Sequence, residues 1–232
     1  LVKNAELAMF VSKKAGKNRY TVCTSEIKKE SLLENELSNS LYRALENQEF
    51  TVYYQPKISA KTAEIIGMEA LIRWNHPTKG LISPAVFIPL AEKIGIIGDI
   101  DQWVFKTACR QNKIWQDKGY PPFRMAVNFS LSQFFQENII EKLEHLLSET
   151  GLSAEYVEVE ITESIANYKA ESIIKILDGM KALGISIAID DFGTEYSSLS
   201  RLHTLPVDRI KIDRQFVWEF SKGKTGHDIL KT

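Results

Sequence analysis

Cysteine is scarce in this chain. It occurs twice in 232 residues, as Cys23 and Cys109, with no CxxC pair. That count excludes a disulfide-stapled scaffold and predicts two reduced thiols in a cytosolic protein. Histidine is little more frequent: His76, His145, His203 and His227 form no HxH or HExxH pattern, so no zinc site is expected. Charge of one sign is missing too, with 29 Lys+Arg against 30 Asp+Glu and a formal net charge of −1. A protein that grips a nucleic-acid polymer by its phosphates carries a basic excess, and none is visible. No apolar run approaches the roughly 18 residues of a membrane span. The first residues do not read as a signal peptide, and no membrane contact is expected of this stretch. What is present is ordinary: 44% apolar and 25% charged residues, as in a soluble globular domain.

Strand-like and helix-like runs alternate along the chain. The strand candidates are 51–58 (TVYYQPKI), 66–74 (IGMEALIRW), 124–130 (RMAVNFS), 156–162 (YVEVEIT), 184–192 (GISIAIDDF) and 207–213 (VDRIKID). Each is short, rich in β-branched or aromatic residues, and bounded by Gly, Pro, Asn or Asp. Between them, helical spacing runs over 99–119, with Trp103, Thr107, Ile114 and Trp115 along one side, then over 131–151. A third run covers 164–184, with Ile173, Ile176, Leu177 and Met180 on one face. This order predicts a parallel sheet with crossover helices, closed as a β/α barrel or left open and doubly wound. At the N-terminus, a short helix ending near Gly16 is followed by a strand, then by a charged helical stretch over 25–50.

The polar residues fall on one strand face. Glu69, Leu71 and Arg73 share a side of their strand; Asn128 and Ser130, Glu158 and Glu160, and Asp190 do the same on theirs, and Lys211 aligns with Asp213. An antiparallel sheet with one wet face also alternates, but its connections need not be long and helical. In a barrel these acids sit at the C-terminal strand ends, where barrel enzymes keep their active sites. Glu69, Glu160, Glu163, Asp190 and Asp191 converging there would repel one another unless protonated or neutralised by cations. Oxygen ligands of this kind suit magnesium, manganese or calcium. Adjacent Asp190 and Asp191 could share a carboxylate between two cations, the arrangement used for displacement at phosphorus. Lys211 and Arg73 could balance a phosphate and the attacking oxygen. The residues alone thus point to metal-dependent phosphate ester chemistry. A magnesium-dependent barrel acting on an enolate is the more distant alternative.

At these positions the chain resembles the EAL family of cyclic di-GMP phosphodiesterases. The residues that carry the resemblance are 69–74 (EALIRW), 54–58 (YQPKI), 127–130 (VNFS), 160–164 (EITES), 190–199 (DDFGTEYSSL) and 206–213 (PVDRIKID), in the family's order and at similar spacing. The resemblance implies a TIM-like barrel that hydrolyses cyclic di-GMP to linear pGpG, using two Mg²⁺ or Mn²⁺ ions, with Ca²⁺ inhibitory. By motif position, Glu69, Asn128, Glu160 and Asp190 would hold the first metal, and Asp190 and Asp191 would share the second. Lys211 would orient or activate the attacking water. Gln55, Leu71 and Arg73 would contact the dinucleotide. Glu163 would steady the loop after the paired aspartates without ligating metal. A non-catalytic module that only binds cyclic di-GMP is the alternative, and the complete acidic set argues against it. A homodimer is expected by the same resemblance.

Residues 1–22 resemble the tail of a GGDEF domain. They would be joined by a helical linker over 23–36 to an EAL domain over 37–232, within a cytoplasmic protein whose remainder could be membrane-tethered. Two departures stand out. Glu195 replaces the glycine of an FGTG loop, and the chain ends at 228–232 (DILKT), before the last two strands of the family's barrel. The barrel is therefore expected to be incomplete at its C-terminal side, with a complete first-metal site and an incomplete second one, so this stretch is expected to bind cyclic di-GMP better than it hydrolyses it.

Overall fold

Seven strands form one sheet in the computed structural model, which describes residues 2–14, 16–166, 171–193, 205–214 and 217–218. The strands are β1 (Phe50–Ile58), β2 (Ile65–His76), β3 (Gly80–Ile82), β4 (Arg124–Phe129), β5 (Val157–Thr162), β6 (Ser186–Phe192) and β7 (Arg209–Ile212). Their order is β1-β2-β4-β5-β6-β7, with β3 paired antiparallel to β2. Every neighbouring pair from β2 through β7 is parallel. The class is α/β, with the strand–helix–strand order of a TIM-like (β/α) barrel. Among the strands expected from the sequence, β1 departs from the parallel arrangement. Only residues 59–64 join β1 to its neighbour β2, and a parallel crossover needs a dozen or more residues, so β1 enters as the antiparallel arm of a hairpin. That turn is closed by the Ser59 N–H donating to the Glu64 carbonyl at 2.9 Å.

By compactness the chain divides into two units. The larger comprises Val52–Ile72 and the residues from Ile97 onward. Its core is the bulky face of the parallel strands: Met125, Val127, Val157, Val159, Ile161, Ile185, Ile187 and Ile189 are all buried. Burying each such side chain contributes about 1.5–3 kcal/mol. The helices α4 (Ile97–Asp117), α5 (Ile139–Thr150) and α7 (Glu171–Leu183) cover this face, α4 on β4 and α7 on β6. The buried stripe of α4 runs through Ile97, Ile100, Val104, Phe105, Ala108 and Cys109. It is not the Trp103, Thr107 and Ile114 side expected from the sequence; Ile114 is exposed. Cys109 within this stripe is a free thiol, and burial pushes it up to about 12.

The run over 131–151 is not one helix. Leu131–Phe135 forms a 3-10 turn, and α5 begins only after Asn138, whose backbone is left-handed at φ 57°. Asparagine tolerates that conformation, so apolar spacing continued across a break in the backbone. The run over 164–184 contains α6 (Glu163–Ala166) and α7, and its residues 167–170 lie outside the described ones.

The smaller unit comprises Leu1–Thr51 and Arg73–Ile96. It holds α1 (Val2–Lys14), α2 (Ser25–Ala44), β3 and α3 (Pro84–Ile94), the last two missed in the sequence. Trp74, fully buried, meets Phe87 edge-on at 5.7 Å and donates its indole N–H to Glu49 Oε2 at 2.8 Å. The strand expected after α1 is absent: residues 20–24 belong to no strand, and α2 starts at once behind the N-cap Thr24. Among the described residues no helix is long and apolar enough to cross a membrane.

Candidate functional site

The side chains that carry chemistry stand on the sheet face opposite the core helices. Register brings them level. Asn128 on β4 is the partner of Glu160 on β5, Glu160 is the partner of Ala188 on β6, and Thr162 is the partner of Asp190. Glu69 on β2 lies opposite Ala126 on β4. Small residues on this face, namely Ala126, Ser186 and Ala188, leave room for long side chains from the neighbouring strands. Lys211, on β7, uses that room.

Its ammonium lies 2.6 Å from Glu160 Oε2, 2.7 Å from Asp190 Oδ2 and 3.2 Å from Glu69 Oε2. Glu69, Glu160 and Asp190 each offer one carboxylate oxygen, all within 4.8 Å of one another. Asn128 joins them, its Nδ2 donating to Glu69 Oε1 at 3.2 Å. Oxygens at this spacing are a donor set that fits a hard divalent cation. Asp191 is not part of that cluster. It is exposed, stands in the left-handed region at φ 54°, and its backbone N–H donates to Asp190 Oδ1 at 2.8 Å.

Burial dominates the electrostatics. It pushes the Glu160 carboxyl above its ordinary value; Lys211 pulls it back down, and the neighbouring Glu69 pushes it further up. For Lys211, burial works against the charged form, but the surrounding carboxylates of Glu160, Asp190 and Glu69 more than offset it. Its ammonium is held well above the ordinary lysine value.

A second tier lies beneath, and sequence reading missed it. Lys57 on β1 reaches Glu160 Oε1 at 2.5 Å and Glu158 Oε1 at 2.8 Å. Arg209 on β7 pairs with the other oxygen of Glu158. Burial of Glu158 would raise its carboxyl, but Lys57 and Arg209 outweigh it and hold the group below its ordinary 4.5. The signal was available: Lys57 follows Gln55 by two, Glu158 precedes Glu160 by two, and Arg209 precedes Lys211 by two, so each shares a face with a residue already singled out.

Glu163, buried at the start of α6, accepts a hydrogen bond from the Gly193 N–H at 2.9 Å, just past the paired aspartates. Gly193 has φ 101°, a backbone that favours glycine. Asp101 on α4 fastens the turn after Asn128, accepting from the Ser130 hydroxyl at 2.5 Å and the Ser130 N–H at 3.2 Å. Gln55 is exposed on β1 and Leu71 half-buried on β2; Arg73, also half-buried, belongs to the smaller unit. Glu195 and the rest of the segment 194–200 lie outside the described residues, as does 228–232.

Comparison with known proteins gives a consistent picture. The family described as EAL domain matches residues 38–232. The bifunctional diguanylate cyclase/cyclic di-GMP phosphodiesterase MucR of Pseudomonas aeruginosa is 40% identical over 221 residues, 95% of this chain and 32% of that protein. The cyclic di-GMP phosphodiesterase NbdA of the same organism is 36% identical over 231 residues, 100% of this chain and 30% of that protein. The chain thus spans about a third of the length of these relatives. Among solved structures, the PaMucR phosphodiesterase in complex with c-di-GMP matches with a TM-score of 0.78 at 41% identity, over 84% of this chain and 78% of that one. The EAL enzyme Bd1971 with cAMP and cyclic-di-GMP bound matches with a TM-score of 0.79 at 30% identity, over 98% and 60%.

Proposed function

This chain belongs to the EAL domain family, and from that membership and its acidic cluster we propose that it is a hydrolase that opens cyclic di-GMP to linear pGpG. The observation that carries the reading is the convergence of Glu69, Glu160 and Asp190 around one ammonium, on the sheet face away from the core. The residues proposed to hold a first divalent cation, Mg²⁺ or Mn²⁺, are Glu69, Asn128, Glu160 and Asp190; Asp190 and Asp191 are proposed for a second. When bound, such cations acidify water and neutralise charge on a phosphoryl oxygen.

The protein's own groups do the rest. Lys211, whose ammonium faces Glu69, Glu160 and Asp190, is proposed to orient or activate the attacking water. Glu163 is proposed to fix the chain just beyond Asp191 through the Gly193 N–H. Gln55, Leu71 and Arg73 are proposed dinucleotide contacts, with Arg73 on phosphate; the motif resemblance supports them. The same resemblance supports residues 1–22 as the tail of a GGDEF domain, 23–36 as a linker, a homodimer, a cytoplasmic location and inhibition by Ca²⁺.

Incubating the purified chain with cyclic di-GMP and Mn²⁺, and separating products by chromatography, tests the reading. Linear pGpG is expected from the chain and none from Glu69→Ala. Intact dinucleotide after incubation, alongside calorimetric binding in Ca²⁺, would replace the hydrolase with a binding module.

A further inference from the structure

The carboxylate of Glu160 is held from both sides. Its side chain has no exposed surface, Oε2 faces Lys211 at 2.6 Å, and Oε1 faces Lys57 at 2.5 Å. The terminal torsion of a glutamate is broad and nearly two-fold, so packing alone does not choose which oxygen points where. Here two cations on different strands choose it. We propose that Lys57 is a positioning residue for Glu160, fixing one carboxylate oxygen so that the other is presented to the cluster with Glu69 and Asp190. The inference rests on reading that cluster as a divalent-cation site.

Lys57 is itself oriented. Its ammonium also lies 2.8 Å from Glu158 Oε1, and Glu158, almost wholly buried, is tied on its other oxygen to Arg209. Arg209, Glu158, Lys57 and Glu160 form a chain from β7 across β5 to β1 and back to β5, so the sheet register sets the direction of the Glu160 oxygen. Partners behind metal-ligating carboxylates act in this way, and losing one weakens metal binding.

Charge and position predict opposite signs. A lysine beside a cation site repels the incoming cation, so if Lys57 supplied charge alone its removal would tighten binding. If it positions Glu160, removal loosens binding despite the lost repulsion.

Calorimetric titration of Mn²⁺ alone into the metal-stripped chain separates the two, with melting curves to verify folding. Lys57→Met is expected to weaken Mn²⁺ binding by about 10-fold or more. Lys57→Arg, which keeps donors and charge, is expected to recover most of the loss. Should Lys57→Met not fold, Lys57→Gln carries the same expectation, being a donor too short to bridge Glu158 and Glu160. Unchanged or tighter Mn²⁺ binding in the folded variant overturns the positioning role and leaves Lys57 a counter-ion. If the unsubstituted chain binds no Mn²⁺, the cation-site reading fails and this inference falls with it.

Discussion

Replacing Lys211 with methionine keeps most of the side chain's length and removes only the charge that Glu69, Glu160 and Asp190 share. Breaking a buried ion pair by deleting one partner costs roughly 3–5 kcal/mol. Here the burial is uneven: the side chains of Lys211, Asp190 and Glu69 are 28%, 19% and 17% exposed, and only Glu160 is fully enclosed. Solvent screening at the partly exposed members lowers the expectation to about 2–3 kcal/mol. In a domain of this size each kcal/mol moves the melting temperature by about 2–4 °C, giving a loss of roughly 4–12 °C. The pH dependence has a definite sign. Without the ammonium, burial and the neighbouring Glu69 push the Glu160 carboxyl further above its ordinary value with less to oppose them. The folded state is then favoured while Glu160 is protonated and penalised as pH rises through its folded value. Melting curves in EDTA should show a small Lys211→Met deficit at about pH 5 and the full deficit at about pH 8. A deficit of equal size at both would mean lost packing and not lost charge; no deficit at the higher pH would refute the account.

Glu163→Ala removes the acceptor of the Gly193 N–H, and is expected to lower turnover roughly 10- to 100-fold while Mn²⁺ affinity stays unchanged. Equal loss of metal in that variant would make Glu163 a ligand. Glu158→Gln deprives Lys57 and Arg209 of their buried anion, at about 2–4 kcal/mol after discounting the exposed side of Arg209. Because the Glu158 carboxyl is held below 4.5, its contribution is complete above that value and lost as pH falls through the folded value. The melting difference between variant and parent should therefore narrow in acid; a difference constant with pH would assign it to packing.

The strands and their polar face were legible because side-chain alternation is imposed by the pleat, whatever the strand pairs with. Alternation is blind to direction, so the antiparallel entry of β1 showed only in the short connection over 59–64. Helical spacing proved a weaker guide. The large side chains of Trp103 and Ile114 drew the buried side of α4 to the wrong face, whereas smaller Ala108 and Cys109 line the true one. Around 136–138 apolar spacing ran on through a turn that only Asn138 marked. The acids of the site were readable one strand at a time. Their meeting was not, since it depends on register between strands far apart in sequence. Lys57 and Glu160 touch across 103 positions, and a lysine in the first strand has nothing local to announce its partner.

Ala188 takes no part in the chemistry, yet it sits beside Glu160 in register and is wholly buried. Two ammonium groups grip the Glu160 carboxylate, and the residue beside it in register stops at a methyl. On the opposite face of the same sheet, one aliphatic residue can replace another of similar volume at modest cost. At Ala188 each added carbon would compete for space with the Glu160 carboxylate or with the cations that grip it. Freedom to vary therefore differs sharply between the two faces of a single strand, and the tighter restriction falls on a residue with no functional group.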